Sequence, residues 1–148
     1  MTSEPASAVE SLLGRRPRSA YEVVVSAPDG RPVVIRNAPL AEDGTPMPTR
    51  YWLVGAPERV AVSRLESAGG VRAAGRAVDP AELRSAHDRY AGERDRALPP
   101  GWSGPRPSGG VGGTREGVKC LHAHYAWFLA GGEDPVGRWV EEQLRSSQ

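Results

Sequence analysis

A chain of 148 residues with one cysteine, one lysine, one isoleucine, one phenylalanine and two methionines has few of the residues that usually announce a function. Each scarcity excludes something. The single cysteine, Cys120, rules out a framework of intrachain disulfides. No apolar run approaches the ~20 residues that cross a bilayer as a helix. Met1–Glu10 lacks a basic segment leading into an apolar one, so no secretion signal is expected and the chain is expected in the cytoplasm. Charge of one sign is missing as well. Nineteen basic against 18 acidic residues leave a net charge of +1, with no field to mark a nucleic-acid or membrane partner. With 14 Pro and 18 Gly breaking the chain, a coiled coil or long helical rod is excluded.

What is present is skewed. Eighteen of the 19 basic residues are Arg, and Ala, Gly and Pro are abundant. That pattern fits coding in a GC-rich genome, which weakens arginine richness as evidence for phosphate binding. The length suits one domain. Residues 1–19 read as a short helix or flexible segment: Ser7-Ala8-Val9-Glu10 fits a capping box, and Gly14 stops the helix after about two turns. Residues 20–148 read as a single α+β domain. Tyr21–Ser26 and Pro32–Asn37 are β-branched runs joined by Ala27-Pro28-Asp29-Gly30-Arg31, a hairpin signal. Arg50–Gly55 supplies a third strand, giving a small three-stranded antiparallel sheet in the N-terminal half.

Three to four helices are expected to pack with that sheet from the C-terminal half. One begins near Pro57 and ends at Gly69-Gly70. A second starts at Asp79-Pro80, a third is capped by Thr114 and runs to about Ala130, and a last one starts at Asp134-Pro135. Between the second and third lies the loop 99–113, with four Pro and six Gly. Composition reads it as a linker, whereas Trp102 reads it as an ordered loop.

The segment from Pro107 to Tyr125 is the least ordinary. Gly109, Gly110, Gly112 and Gly113 stand ahead of the helix expected at Thr114, an arrangement in which backbone N–H groups and the helix dipole favour an anion. Arg115 and Lys119 would add charge. The residues after the glycines do not match a Walker loop, and no strand precedes them as a dinucleotide fold requires. Cys120, His122 and His124 invite a metal reading. On a straight helix from Thr114, Cys120 and His124 lie about 40° apart, while His122 points about 160° away from His124. The usable pair is therefore Cys120 with His124. Nothing in the sequence brings His87 or Asp29 to it as a third ligand, and His87 and His122 read more simply as hydrogen-bonded histidines. Two turns into such a helix, Cys120 also fits a catalytic thiol poorly.

The run from Gly101 to Arg138, with Asp43-Gly44-Thr45-Pro46, Pro48-Thr49-Arg50-Tyr51-Trp52-Leu53 and His87-Asp88-Arg89-Tyr90 upstream, resembles an actinobacterial family known as domain of unknown function 501. The likeness covers most of residues 20 to 141. It implies no activity. Relatives often carry Cys-Pro-Cys-Gly in the hairpin turn, and with Cys120 and His124 those thiols would form a four-ligand site. Here the turn holds Ala27 and Asp29, so no metal and no cofactor are expected. The resemblance also implies a genomic setting beside a septum-formation initiator and an exopolyphosphatase.

Three functions follow as expectations. The first is a module binding a phosphate-containing small molecule through Gly109, Gly110, Gly112, Gly113, Thr114, Arg115, Lys119, Cys120, His124 and His87. The second is a protein-interaction module, linked to cell division or the envelope, that docks a protein partner on the glycine loop and Trp102. The third is an enzyme acting on a phosphorylated substrate with His124 or His87 as acid or base. No nucleic acid or membrane partner is expected, and whether the chain is an enzyme stays open.

Overall fold

The computed structural model describes residues 4–147, and the side chains from residue 8 on. The chain is α+β. In order come α1 (Glu4–Leu13), β1 (Ser19–Ser26), β2 (Pro32–Ala41), β3 (Tyr51–Leu53), α2 (Ala56–Ser67), α3 (Gly70–Ala77), α4 (Pro80–Arg96), a single 3-10 turn (Val111–Gly113), α5 (Leu121–Leu129) and α6 (Pro135–Ser146). The strands form an antiparallel sheet in the order β1-β2-β3, with Val23 opposite Ile35 and Ile35 opposite Trp52.

The hairpin forms where its turn chemistry demands. Gly30 takes φ 88°, open to glycine at no cost, and the Arg31 N–H donates to Asp29 Oδ1 at 3.0 Å. Two helix starts also follow local chemistry. Asp79 accepts from Glu82 N–H ahead of Pro80, and Asp134 accepts from Val136 N–H ahead of Pro135.

Side chains alternate across β2 and divide the core in two. Val34, on one face, joins Leu53, Val62, Tyr90, Leu121, Trp127 and their neighbours from the helices. Ile35, on the other, packs with Val54 and with Val9 of α1. A ten-residue helix is marginal alone, and this docking is what holds α1 in place. Tyr90 ties α4 to the sheet. Its buried hydroxyl accepts from Arg50 N–H at 2.6 Å and Tyr51 N–H at 3.2 Å.

Several expectations need correcting. Ser7–Glu10 lies within α1, whose start at Glu4 precedes it, so it is not a cap. Among the described residues five helices follow the sheet: α2 ends just before Gly69-Gly70 as expected, and α3 is the addition, beginning at Gly70. That glycine is needed for close approach, since a Cβ there would lie 2.6 Å from Leu65 O and 2.9 Å from Leu121 Cδ1. Thr114 caps no helix. It has extended backbone, its hydroxyl donates to Glu116 O, and α5 begins seven residues later at Leu121. Gly113 at φ 81° and Gly117 at φ 67° break any helix across 114–120.

The Pro/Gly loop packs against the rest of the chain. Trp102 packs over Gly44 in the β2–β3 connection, with its indole N–H donating to Pro105 O at 2.9 Å. Arg94, only 1% exposed, donates from one guanidinium nitrogen to Gly109 O at 2.9 Å, Pro48 O at 3.1 Å and Ser108 O at 3.4 Å. No helix among the described residues is long and apolar enough to cross a membrane.

Candidate functional site

Because α5 starts at Leu121, Cys120 occupies its N-cap with extended backbone, and His122 lies in the first turn. Cys120 does not satisfy the first N–H of the helix, that of Leu121. That role falls to Glu66 from the last turn of α2, whose Oε2 accepts the Leu121 N–H at 2.8 Å. The same oxygen lies 3.3 Å from His122 Nδ1, and that nitrogen lies 3.9 Å from Cys120 Sγ. His122 Nε2 meets Ser63 Oγ at 3.1 Å. Carboxylate, thiol and imidazole thus share one spot, each half-buried.

Their environment polarises the pair. Burial pushes the Cys120 thiol up, but the His122 imidazole and the Ala123 N–H together outweigh it, leaving the thiol below its ordinary value. The Cys120 hydrogen bond raises His122, against burial, and the Glu66 charge adds to the rise.

The cluster opens on a cleft of about 550 Å³ between β3, α2 and the head of α5. Cys120 and His122 form one wall, Gly112 and Trp52 line it further round, and Arg15 and Arg59 stand on α1's exit and on α2. The Arg15 guanidinium sits 5.7 Å from the Trp52 ring centre, and Arg59 donates to Leu12 O at 3.2 Å. Neither arginine is ion-paired to a carboxylate among the described residues.

His124 and His87 belong elsewhere. His124 is fully buried, its Nδ1 2.7 Å from Asp134 Oδ2, and its Nε2 has no hydrogen-bond partner. Its ring centre lies 5.7 Å from that of His87. His87 Nδ1 accepts from Val111 N–H at 3.0 Å, which puts its proton on Nε2, where it donates to Gly117 O at 2.9 Å. Burial holds its pKa down, and the Gly117 carbonyl only partly offsets this. His87 is the peg on which the glycine loop hangs, the hydrogen-bonded histidine expected of an apolar stripe.

The residues expected to form one pocket are therefore split. Gly112 and Cys120 reach the cleft. Gly110 packs so tightly on His87 that a Cβ would lie 2.6 Å from its Cβ and Nδ1. Gly109 offers its carbonyl to Arg94, while Gly113, Arg115 and Lys119 are exposed. The loop amides expected to hold an anion are largely taken within the protein. Gly110 N–H donates to Thr114 O, Val111 N–H to His87 and Gly113 N–H to Gly110 O. The expected pairing of Cys120 with His124 is replaced by Cys120 with His122, because the helix phase counted from Thr114 does not exist. Glu66, Ser63, Arg15 and Arg59 were missed. Treating Gly117 as a helix breaker would have exposed the Cys120–His122 pair, but no local signal brings Glu66 across 55 positions.

A family model described as a protein of unknown function (DUF501) matches residues 23–142. The chain belongs to this family. No curated protein and no solved structure matches it. The matched span holds Arg59, Ser63, Glu66, Gly112, Cys120 and His122, so the cluster lies inside the DUF501 domain, whereas Arg15 precedes it.

Proposed function

We propose that the chain is a small binding domain for a phosphate-containing ligand, held in the cleft at the head of α5. The observation that carries this reading is the pair Arg15 and Arg59. Two guanidinium groups line a 550 Å³ cleft, and neither is ion-paired to a carboxylate among the described residues. A cleft of this size suits a small molecule, and guanidinium is the side chain best matched to phosphate oxygens. The proposal moves the anion from the glycine loop, whose amides are occupied, to the cleft that Gly112 borders.

The test is calorimetric titration of phosphate, pyrophosphate and nucleotides into the folded protein and its Arg15→Ala and Arg59→Ala variants. Each substitution is expected to weaken binding by about 1.5–3 kcal/mol, the range for a hydrogen bond to a charged group. Both losses shrink with salt. No saturable binding of any of these anions by the wild type removes the reading.

A thiol enzyme is the second reading. It is favoured by the placement of Cys120 at a helix start beside His122, with Ser63 fixing the far side of the ring. In that reading the cleft's acid or base is His122. Neither His87 nor His124 lines the cleft.

A further inference from the structure

We propose that Glu66, Cys120 and His122 form a binding site for one divalent transition-metal ion of the zinc class, with its fourth coordination position open to the cleft. The three ligand atoms all lie within 4.8 Å of one another, although they come from two elements 54 residues apart. Two of the three separations are close to the edges of a tetrahedral site. Zinc bonds of about 2.3 Å to sulfur and about 2.0 Å to nitrogen or oxygen put tetrahedral edges at roughly 3.5 Å for S···N and roughly 3.3 Å for N···O. The observed separations are 3.9 Å for Sγ···Nδ1 and 3.3 Å for Nδ1···Oε2.

The surroundings fit a ligand set as well. A ligating histidine needs its other nitrogen held, and Ser63 Oγ holds Nε2 at 3.1 Å, leaving Nδ1 to face the cluster. Glu66 is fixed by the Leu121 N–H. Thiolate and carboxylate carry two negative charges, which a divalent ion balances. Thiolate with imidazole selects the borderline ions and disfavours magnesium and calcium. Three protein ligands with one open position is the pattern of a reactive zinc site, and Cys120 and His122 line the cleft directly. This departs from the expectation of no metal, which rested on the missing turn thiols. The site does not use the turn, and it uses His122 where His124 was expected.

The site stands on its own three atoms and not on the arginines, so it can fail separately from the anion reading. The experiment is titration of the reduced full-length chain with zinc chloride, followed by calorimetry, and in parallel with cobalt(II), followed by absorbance. The expected result is one ion per chain and a thiolate-to-cobalt charge-transfer band. Zinc is also expected to slow iodoacetamide labelling of Cys120 at least tenfold in the wild type, a readout that needs no variant. Cys120→Ser, His122→Ala and Glu66→Gln, each checked for folding by circular dichroism, are expected to weaken zinc at least tenfold. Ser63→Ala is expected to weaken it by about 10–100-fold, the usual effect of freeing a ligating ring. No stoichiometric zinc, or zinc that leaves Cys120 labelling unchanged, overturns the proposal.

Discussion

His122 and His124 stand two residues apart on one short helix and live in opposite environments. His122 is 26% exposed, faces a thiol and a carboxylate, and opens on a cleft. His124 is fully buried and bound to Asp134, which is itself fully buried and caps the next helix. One imidazole faces the cleft, and the other holds two helices together. The difference arises from rotation about the α5 axis, roughly 200° between positions two apart. A Cys-X-His-X-His run therefore does not describe a single site. It describes a face toward the cleft and a face toward the core.

Removing the buried partner is expected to cost most. Asp134→Ala leaves the His124 Nδ1 unpaired and removes the α6 cap, and is expected to destabilise the protein by about 1.5–5 kcal/mol. The exposed cap Asp79→Ala is expected to cost only about 0.5–2 kcal/mol. Urea denaturation of both variants measures the gap. Equal losses would mean that the His124–Asp134 pair adds nothing beyond capping.

The glycine loop offers a contrast of sign. Gly110→Ala drives a methyl into His87 and is expected to cost about 1–3 kcal/mol by overpacking. Gly75→Ala, inside α3 with open space around it, is expected to stabilise by about 0.5–1 kcal/mol. Thermal melts of the two variants, moving in opposite directions, check both values.

The smallest effect is also the one that separates cleft from core by pH. His87 is held below its ordinary 6.5, so the unfolded chain takes up a proton first, and stability falls as pH drops below about 6.5. Protonation there also destroys the acceptor that holds Val111 N–H. His122 is raised, so its contribution is complete below about 6.5 and is lost as pH rises through its folded value. Urea midpoints between about pH 5 and 8 are expected to lose their acid-side fall in His87→Gln and their alkaline-side fall in His122→Gln. A wild-type profile that is flat on both sides would contradict both assignments.

The parts of the fold that could be read from the sequence are those set by neighbours in the chain. Pro28-Asp29-Gly30 specified the hairpin, and Asp79-Pro80 and Asp134-Pro135 specified two helix starts, because each acts within four residues. Thr114 misled for the same reason. It has the chemistry of a cap, but Gly117 three residues on vetoes the helix it would start. That single error rotated Cys120 away from His122 and toward His124. The rest of the site was beyond local reading. Glu66 reaches Leu121 only because α2 packs beside α5, and Arg15 reaches the cleft only because α1 folds back onto the sheet. Those contacts come from core packing, which leaves no mark at the residues it brings together.

Arg94 has a consequence for how the molecule opens. The stretch from Pro99 to Gly113 is poor in ladder partners, and three carbonyls along its path and beside it depend on one guanidinium rooted in α4. The side chain acts as a rivet in place of a strand. The loop cannot then breathe independently of the helix that carries its fastening. Amide exchange at Gly110 and Val111 and in the closing turn of α4 should share one opening event, so that these two stretches detach and re-form as a single unit.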